Sequence, residues 1–340
     1  MKSHFAALLI MLLEPVWNTD REWIALRLHA EPAQLATLAP LFAESILANL
    51  PCLWESCDGL FPADLAEPHP FVILLNNNEL ALPFPQTARR LLTAPSEDPG
   101  LIAGIQTLPS QLPPKVWLTG TWLLAPQKPD GRPNPSKPVL LELLGLIVSD
   151  ADTPAIEAVI AKAPQLVFSL LRLVNSVAVG GSTHAESLRQ AIAILGRRQL
   201  QRWLQLLLYA EQFGADSGTP PLLLLAALRA KRLENWAGSS ALANIKPDVA
   251  FLAGMLSLLD RLFGQTLNEI LDPLPLSPEL RAGLLAGEGP LGNAIKALAA
   301  MEAGDEAALS NLLSDTQSST WMQSEINACQ WVRKLLASAT

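Results

Sequence analysis

Two rhythms of apolar and polar positions divide the chain. In roughly the first third the apolar positions come in short runs broken by turn residues. "EPVWNTDREWIALRL" (14–28) predicts strand, turn, strand: Asn18, Thr19 and Asp20 make the turn, and Trp23, Ile24, Leu26 and Leu28 supply β-forming bulk. "QLATLAPLFAESILANL" (34–50) has helical spacing. "FVILL" (71–75), ended by "NNNE", predicts a buried strand running into a loop, "QTARRLLTA" a short helix, and "KVWLTGTWLLA" (115–125) a further strand. Strands alternating with helices predict an α/β layer architecture for this half.

The rhythm changes after "APQKPDGRPNPSKP" (125–138), whose five prolines forbid a helix or a central strand and mark an exposed connector. Beyond it the pattern is helical throughout, with clear punctuation. Thr153 and Pro154 read as cap and first position of one helix. Pro164 opens the next, whose stripe of Val167, Leu170, Leu171, Val174 and Ala178 ends at Gly180-Gly181. Thr183 and Glu186 have capping-box spacing and open a helix expected to end at Gly196. "RRQLQRWLQLLLYAEQF", "PPLLLLAALRAKRLENWA", "DVAFLAGMLSLLDRLF" up to Gly264, "SPELRAGLLAG" capped by Ser277, and "NACQWVRKLLAS" follow. The division is therefore residues 1–124 as an α/β domain, 125–138 as linker, and 139–340 as an all-helical domain.

Composition narrows the function. Half of the 340 residues are apolar and 16% are charged, so the chain builds large cores. A net charge of −8 argues against nucleic acid as the main partner, because phosphate binding needs clustered Lys and Arg. The apolar run Phe5–Leu13 is broken by Glu14, lacks a cleavage site, and is too short to span a bilayer, so a buried strand or helix is expected there and no membrane partner. Cys52, Cys57 and Cys329 are too scattered for a disulfide framework and fit semi-buried thiols in a reducing cytoplasm. The C-x4-C spacing of Cys52 and Cys57 lacks the two further ligands that zinc requires.

Catalytic motifs are sparse. The four histidines are His4, His29, His69 and His184, and His184 stands by itself in the helical half, in the first turn of a capped helix. One imidazole cannot hold a hydrolytic metal. There is no G-x-S-x-G elbow, no phosphate-binding P-loop and no G-x-G-x-x-G fingerprint; "GEGPLG" (287–292) joins two helices. Ser176 has no evident base partner. "GRRQLQRW" gathers Arg197, Arg198, Arg202 and Trp203, either as an anion or partner surface or as a solvated face, the commoner fate of a charge run. Asn76 ends an apolar strand, the place where α/β barrels carry site residues, though Asn also favours turns for its own conformational reasons.

The helical half resembles the HDOD family of bacterial signalling domains. The likeness rests on four blocks in order. They are "LLELLGLIVSDADTPAIEAVIAKAPQLVFSLLRLVNS", "LRQAIAILGRRQLQRWLQLLL", "AFLAGMLSLLDRLFGQTLNEIL" and "LPLSPELRAGLLAGEGPLGNAIKAL". Asn175 and Ser176 match a hallmark of that family, and we read them as polar groups closing a helix end. The resemblance implies a fold related to the HD-domain metal phosphohydrolases without their metal-binding signature, and the sequence contains no His-Asp dipeptide.

In one subgroup an EAL-type domain precedes HDOD. "EPVWNTDREWIALRL" is similar to the first hairpin of that subgroup and "GTWLLAPQKP" to its last strand. EAL barrels hydrolyse cyclic di-GMP with metal-bound carboxylates. Here Ile24 or Arg27, depending on register, replaces the signature Glu, the paired aspartates are missing near "IAGIQTL", and Asn76 stands at the family's metal-binding Asn without its companions. About 140 residues also fall short of the roughly 250 of an eight-stranded (β/α) barrel, so a trimmed barrel is expected.

The expectation is therefore a regulatory protein of bacterial signal transduction, not an enzyme, with no cofactor and no metal. It would meet a protein partner such as a sensor kinase or transcription regulator. The apolar helix "PPLLLLAALRA" is a candidate domain or homodimer interface. The alternative is a receptor that binds cyclic di-GMP without cutting it, through Asn76 and Arg27, with Arg89 or Arg90 nearby.

Overall fold

Asn18 closes the first hairpin. Its side chain accepts from the Glu22 backbone N–H at 2.8 Å and donates to the Glu22 carboxylate at 2.7 Å. Strands β1 (Leu12–Trp17) and β2 (Trp23–His29) leave this turn antiparallel, with Glu14 opposite Arg27. A computed structural model describes residues 12–43, 45, 47, 50–56, 60–65, 71–77, 89–93, 100–108, 112, 116–125, 137–162, 188–210, 221–237, 242, 244–303, 305 and 318–339.

Helix α1 (Pro32–Ala43) carries the chain from β2 to β3 (Cys52–Ser56), which lies parallel to β2, as a parallel neighbour requires a crossover. β4 (Phe71–Asn77) is parallel to β3. β5 (Arg89–Thr93), β6 (Leu101–Ala103) and β7 (Trp117–Leu118) follow. Each strand bonds to the next in sequence, and the sheet curls until β7 meets β1 at Trp17 and Leu118. The result is a closed, mixed barrel of seven strands among the described residues, with antiparallel pairs at β1–β2, β4–β5, β5–β6 and β1–β7. The all-parallel order of a (β/α)8 barrel is not present here.

Two readings of this half change. Arg89–Thr93 is a strand, not part of a short helix, because it is bonded on both sides, to β4 and to β6. Such pairing from distant segments overrides a local helical preference. "KVWLTGTWLLA" keeps only two strand residues before Gly120, and Thr121–Leu124 winds into a 3-10 turn. Gly120 has φ 123°, and a Cβ there would lie 2.4 Å from the Ile105 backbone. The close approach needs glycine.

Among the described residues after the linker, the regular elements are helices joined by short turns. They are α2 (Lys137–Val148), α3 (Thr153–Ile160), α4 (Leu188–Ala210), α5 (Pro221–Trp236) and α6 (Pro247–Leu256). The chain continues through α7 (Leu259–Phe263), α8 (Leu267–Leu271), α9 (Pro278–Leu285), α10 (Gly289–Ala303) and α11 (Ser318–Ala339). Ser277 caps α9 as its sequence requires, and Gly264 ends α7 in the left-handed conformation. The cap of α3 is Asp152, one residue earlier than expected: its carboxylate accepts from the Ala155 N–H at 3.0 Å. At Gly196 (φ 71°, ψ 162°) the backbone leaves the helical region, so one helix ends there, as expected, and a second begins at once; α4 comprises the two. The expected single helix "DVAFLAGMLSLLDRLF" breaks at Ser257-Leu258 into α6 and α7.

α5 is apolar on nearly every side and is buried from Leu222 to Ala230, as a helix without a polar face must be. α6 packs along it. α11 returns from the C-terminal end to lie on α5, β1 and α1. One hydrophobic cluster consequently joins Leu13, Trp17 and Leu26 of the strands to Leu228, Phe251 and Trp321 of the helices.

Candidate functional site

Strand alternation sorts the barrel residues into two sets. Val16, Ala25, Leu53, Leu101 and Ala103 form a small apolar cluster of their own, apart from the main core. Two residues along from Val16, Ala25 and Leu53 stand Glu14, Arg27 and Glu55, so these three charges share the face of that cluster. Arg27 is 4% exposed. Its Nη2 donates to Glu55 at 2.8 Å and its Nη1 to Glu14 at 3.4 Å. His29 Nε2 lies 3.2 Å from the same Glu14 oxygen.

Burial pushes the Glu14 carboxyl upward, but the hydrogen bond with His29 and the charge of Arg27 outweigh it, and the group sits below the ordinary carboxylate range. Two carboxylates are thus held by one guanidinium and one imidazole. The cluster's chemistry is that of a hydrogen-bonded ion-pair network in which Arg27 meets one oxygen of each carboxylate. Among the described residues, no group of three or more His, Cys, Asp or Glu is arranged to hold a metal ion.

Arg27, singled out from the sequence, is the centre of this cluster. Asn76 lies on β4, in backbone register with Leu91 of β5, two strands beyond the strand that carries Arg27. Arg89 and Arg90 lie on β5, in register with Ala103 and Ile102. Asn175, Ser176, His184 and Cys57 lie outside the described residues. Cys52 and Cys329 are free and buried.

The arginine run of α4 makes intramolecular clamps. Arg197 Nη2 donates to the carbonyl and the carboxylate of Asp150 and to the carbonyl of Ala151, so it fastens the α2–α3 turn, where Asp150 holds φ 54°. Arg198 Nε donates to Asp248 at 2.8 Å while more than half of its side chain stays exposed. Arg202 pairs with Glu234 and with Asp248, and lies 5.1 Å from the centre of the Phe251 ring. Trp203 is buried.

Sequence reasoning did not single out Glu55, Arg229, Arg232, Glu302 or Glu325 as partners. Arg232 and Glu325 form a buried pair, and Arg229 bonds Glu302 at 2.7 and 2.5 Å. A signal existed: Arg229 and Arg232 stand three apart within an otherwise apolar helix, a spacing that places both on one buried face.

Comparison with known proteins bears on the helical half. Residues 138–268 match the HDOD domain family. The chain contains an HDOD domain. That domain indicates a signalling-related protein. It takes in α2 through the start of α8, including the arginine clamps of α4 and the whole of the buried α5–α6 pair. The chain is 25% identical over 172 residues to the uncharacterized protein YuxH of Bacillus subtilis (strain 168), covering 50% of this chain and 42% of that protein. It is 29% identical over 143 residues to the cyclic di-GMP phosphodiesterase CdgJ of Vibrio cholerae serotype O1, covering 42% of this chain and 32% of that protein. The matched segments thus span less than half the length of either relative. No solved structure matches the chain. No helix among the described residues is long and apolar enough to cross a membrane.

Proposed function

We propose that this is a non-catalytic regulatory protein, in which an HDOD domain and a trimmed, degenerate EAL-like barrel act together as a scaffold for a protein partner in bacterial signal transduction. The observation that carries the reading is Arg27. It occupies the barrel's polar face, and its guanidinium ties up Glu14 and Glu55, the carboxylates that stand beside it. A cation fixed among those carboxylates opposes the approach of a divalent ion by charge. The partner of this scaffold would be a sensor kinase or a transcription regulator.

A second reading is favoured by one relative's name. CdgJ is a cyclic di-GMP phosphodiesterase, so the barrel half of this chain could keep the nucleotide's recognition without its hydrolysis. Arg27 and Asn76, the residues that the sequence singles out, would then be the candidates for nucleotide binding.

Calorimetric titration of the full chain with cyclic di-GMP, with and without Mg²⁺ or Mn²⁺ and with product analysis, separates the readings. The scaffold reading expects neither heat nor product. Micromolar binding without turnover supports the receptor reading, and turnover overturns both.

A further inference from the structure

A cleft of about 420 Å³ opens where the barrel rim meets the helices. Gln106 and Thr121 line it from the barrel side, Arg229 from α5, Ser257 from the α6–α7 bend, Arg261 from α7 and Glu302 from α10. Its construction starts at Gly254. A Cβ there would lie 2.4 Å from the Ala230 backbone, so glycine lets α6 press onto α5. That contact brings Ser257 beside Arg229, whose Nη1 donates to Ser257 Oγ at 3.0 Å. Arg229 also donates through Nε and Nη2 to the two Glu302 oxygens at 2.7 and 2.5 Å. This side of the cleft is therefore built, buried and internally neutral.

Arg261 is different. Its side chain is 38% exposed, and it meets Asp260 through Nε at 3.2 Å, a pairing that leaves the two forked terminal nitrogens for another acceptor. A forked guanidinium matches a carboxylate or phosphate in two parallel hydrogen bonds. The Gln106 amide and the Thr121 hydroxyl can each donate and accept, which suits hydroxyl or carbonyl groups next to such an anion. Asp260 and Glu302 balance the two arginines, so the lining favours one anionic group over a polyanion. The volume lies within the range of small-molecule sites.

We propose that this cleft binds a small ligand with a single carboxylate or phosphate group, held by Arg261 with Gln106 and Thr121, and that the ligand clamps the barrel against the helical half. A ligand touching both parts favours the arrangement in which they meet, by mass action. The inference does not depend on the scaffold or receptor reading, and either can fail without the other.

The test follows the thermal unfolding midpoint of the full chain with inorganic phosphate and, separately, with lactate, against sodium chloride at equal ionic strength. The variants are Arg261→Gln, Arg261→Lys, Thr121→Val and, as a control, Arg189→Gln, whose side chain on α4 is 85% exposed. The expected result is a saturable rise with at least one anion in the wild type and in Arg189→Gln. Arg261→Gln should weaken the apparent affinity by about tenfold, with partial recovery in Arg261→Lys. Whichever anion gives the rise identifies the headgroup. No saturable rise with either anion, or a rise that Arg261→Gln and Thr121→Val leave unchanged, overturns the proposal.

Discussion

Arg232 of α5 and Glu325 of α11 form an enclosed ion pair, with Arg232 Nη2 2.8 Å from a Glu325 oxygen and the two side chains 3% and 0% exposed. The same Nη2 donates to the Leu13 carbonyl on β1 at 2.8 Å. One guanidinium therefore ties the last helix and the first described strand to the centre of the helical half. Such a pair is weak evidence of net stability against an apolar replacement, but it specifies which surfaces meet.

Removing one partner should expose that cost. Arg232→Met or Glu325→Gln strands a buried polar group and should destabilise the fold by about 3–5 kcal/mol. The double variant Arg232→Met/Glu325→Leu should lose less than either single change. Urea unfolding of the three variants checks this, and a double variant as unstable as the sum of the singles would contradict it.

Glu14 predicts a specific acid response. Its folded pKa lies below the ordinary value of 4.5, so the fold favours the ionised carboxylate. The stability this contributes is present above the unfolded pKa and is lost as pH falls through the folded one. Glu14→Gln should be clearly less stable than wild type at pH 7, and the gap should narrow as pH falls below the ordinary value of 4.5 and close once it passes below the folded pKa. Urea midpoints at pH 7, 5, 4 and 3 measure it.

Two glycines should respond in opposite ways to alanine. Gly254→Ala drives a methyl group into the Ala230 backbone and should cost about 1–3 kcal/mol or more, because no flexible side chain can move aside. Gly145, inside α2, has nothing within 4 Å of its Cβ position, and Gly145→Ala should stabilise by about 0.5–1 kcal/mol. Thermal midpoints of both variants decide the matter.

Cys52 and Cys329 should be unreactive in the folded chain. Burial pushes both thiols up, Cys329 to about 12, and the thiolate is the reactive form. In a Cys57→Ser background, an aromatic disulfide reagent should label neither thiol at neutral pH and both after denaturation. Labelling of the native protein at a rate above global unfolding would refute this.

The sequence by itself determined what local chemistry controls. The β1–β2 hairpin follows from Asn18 and the apolar run after it, the α9 cap from Ser277-Pro278, and the α7 stop from Gly264, since each depends on a few adjacent residues. The apolar α5 announced its own burial. The resemblance of the helical half to HDOD was also legible there, because it lies in the order of residues. Only the tertiary structure decided that Arg89–Thr93 is a strand, since its ladder partners lie on β4 and β6. Only it placed Arg27 between Glu14 and Glu55, joined Arg232 to Glu325 across 93 residues, and brought Gln106 within one cleft with Arg261. Charges separated by so much chain meet only when the curl of a sheet and the packing of helices fix their positions, and no local pattern records which of many carboxylates a given arginine will face.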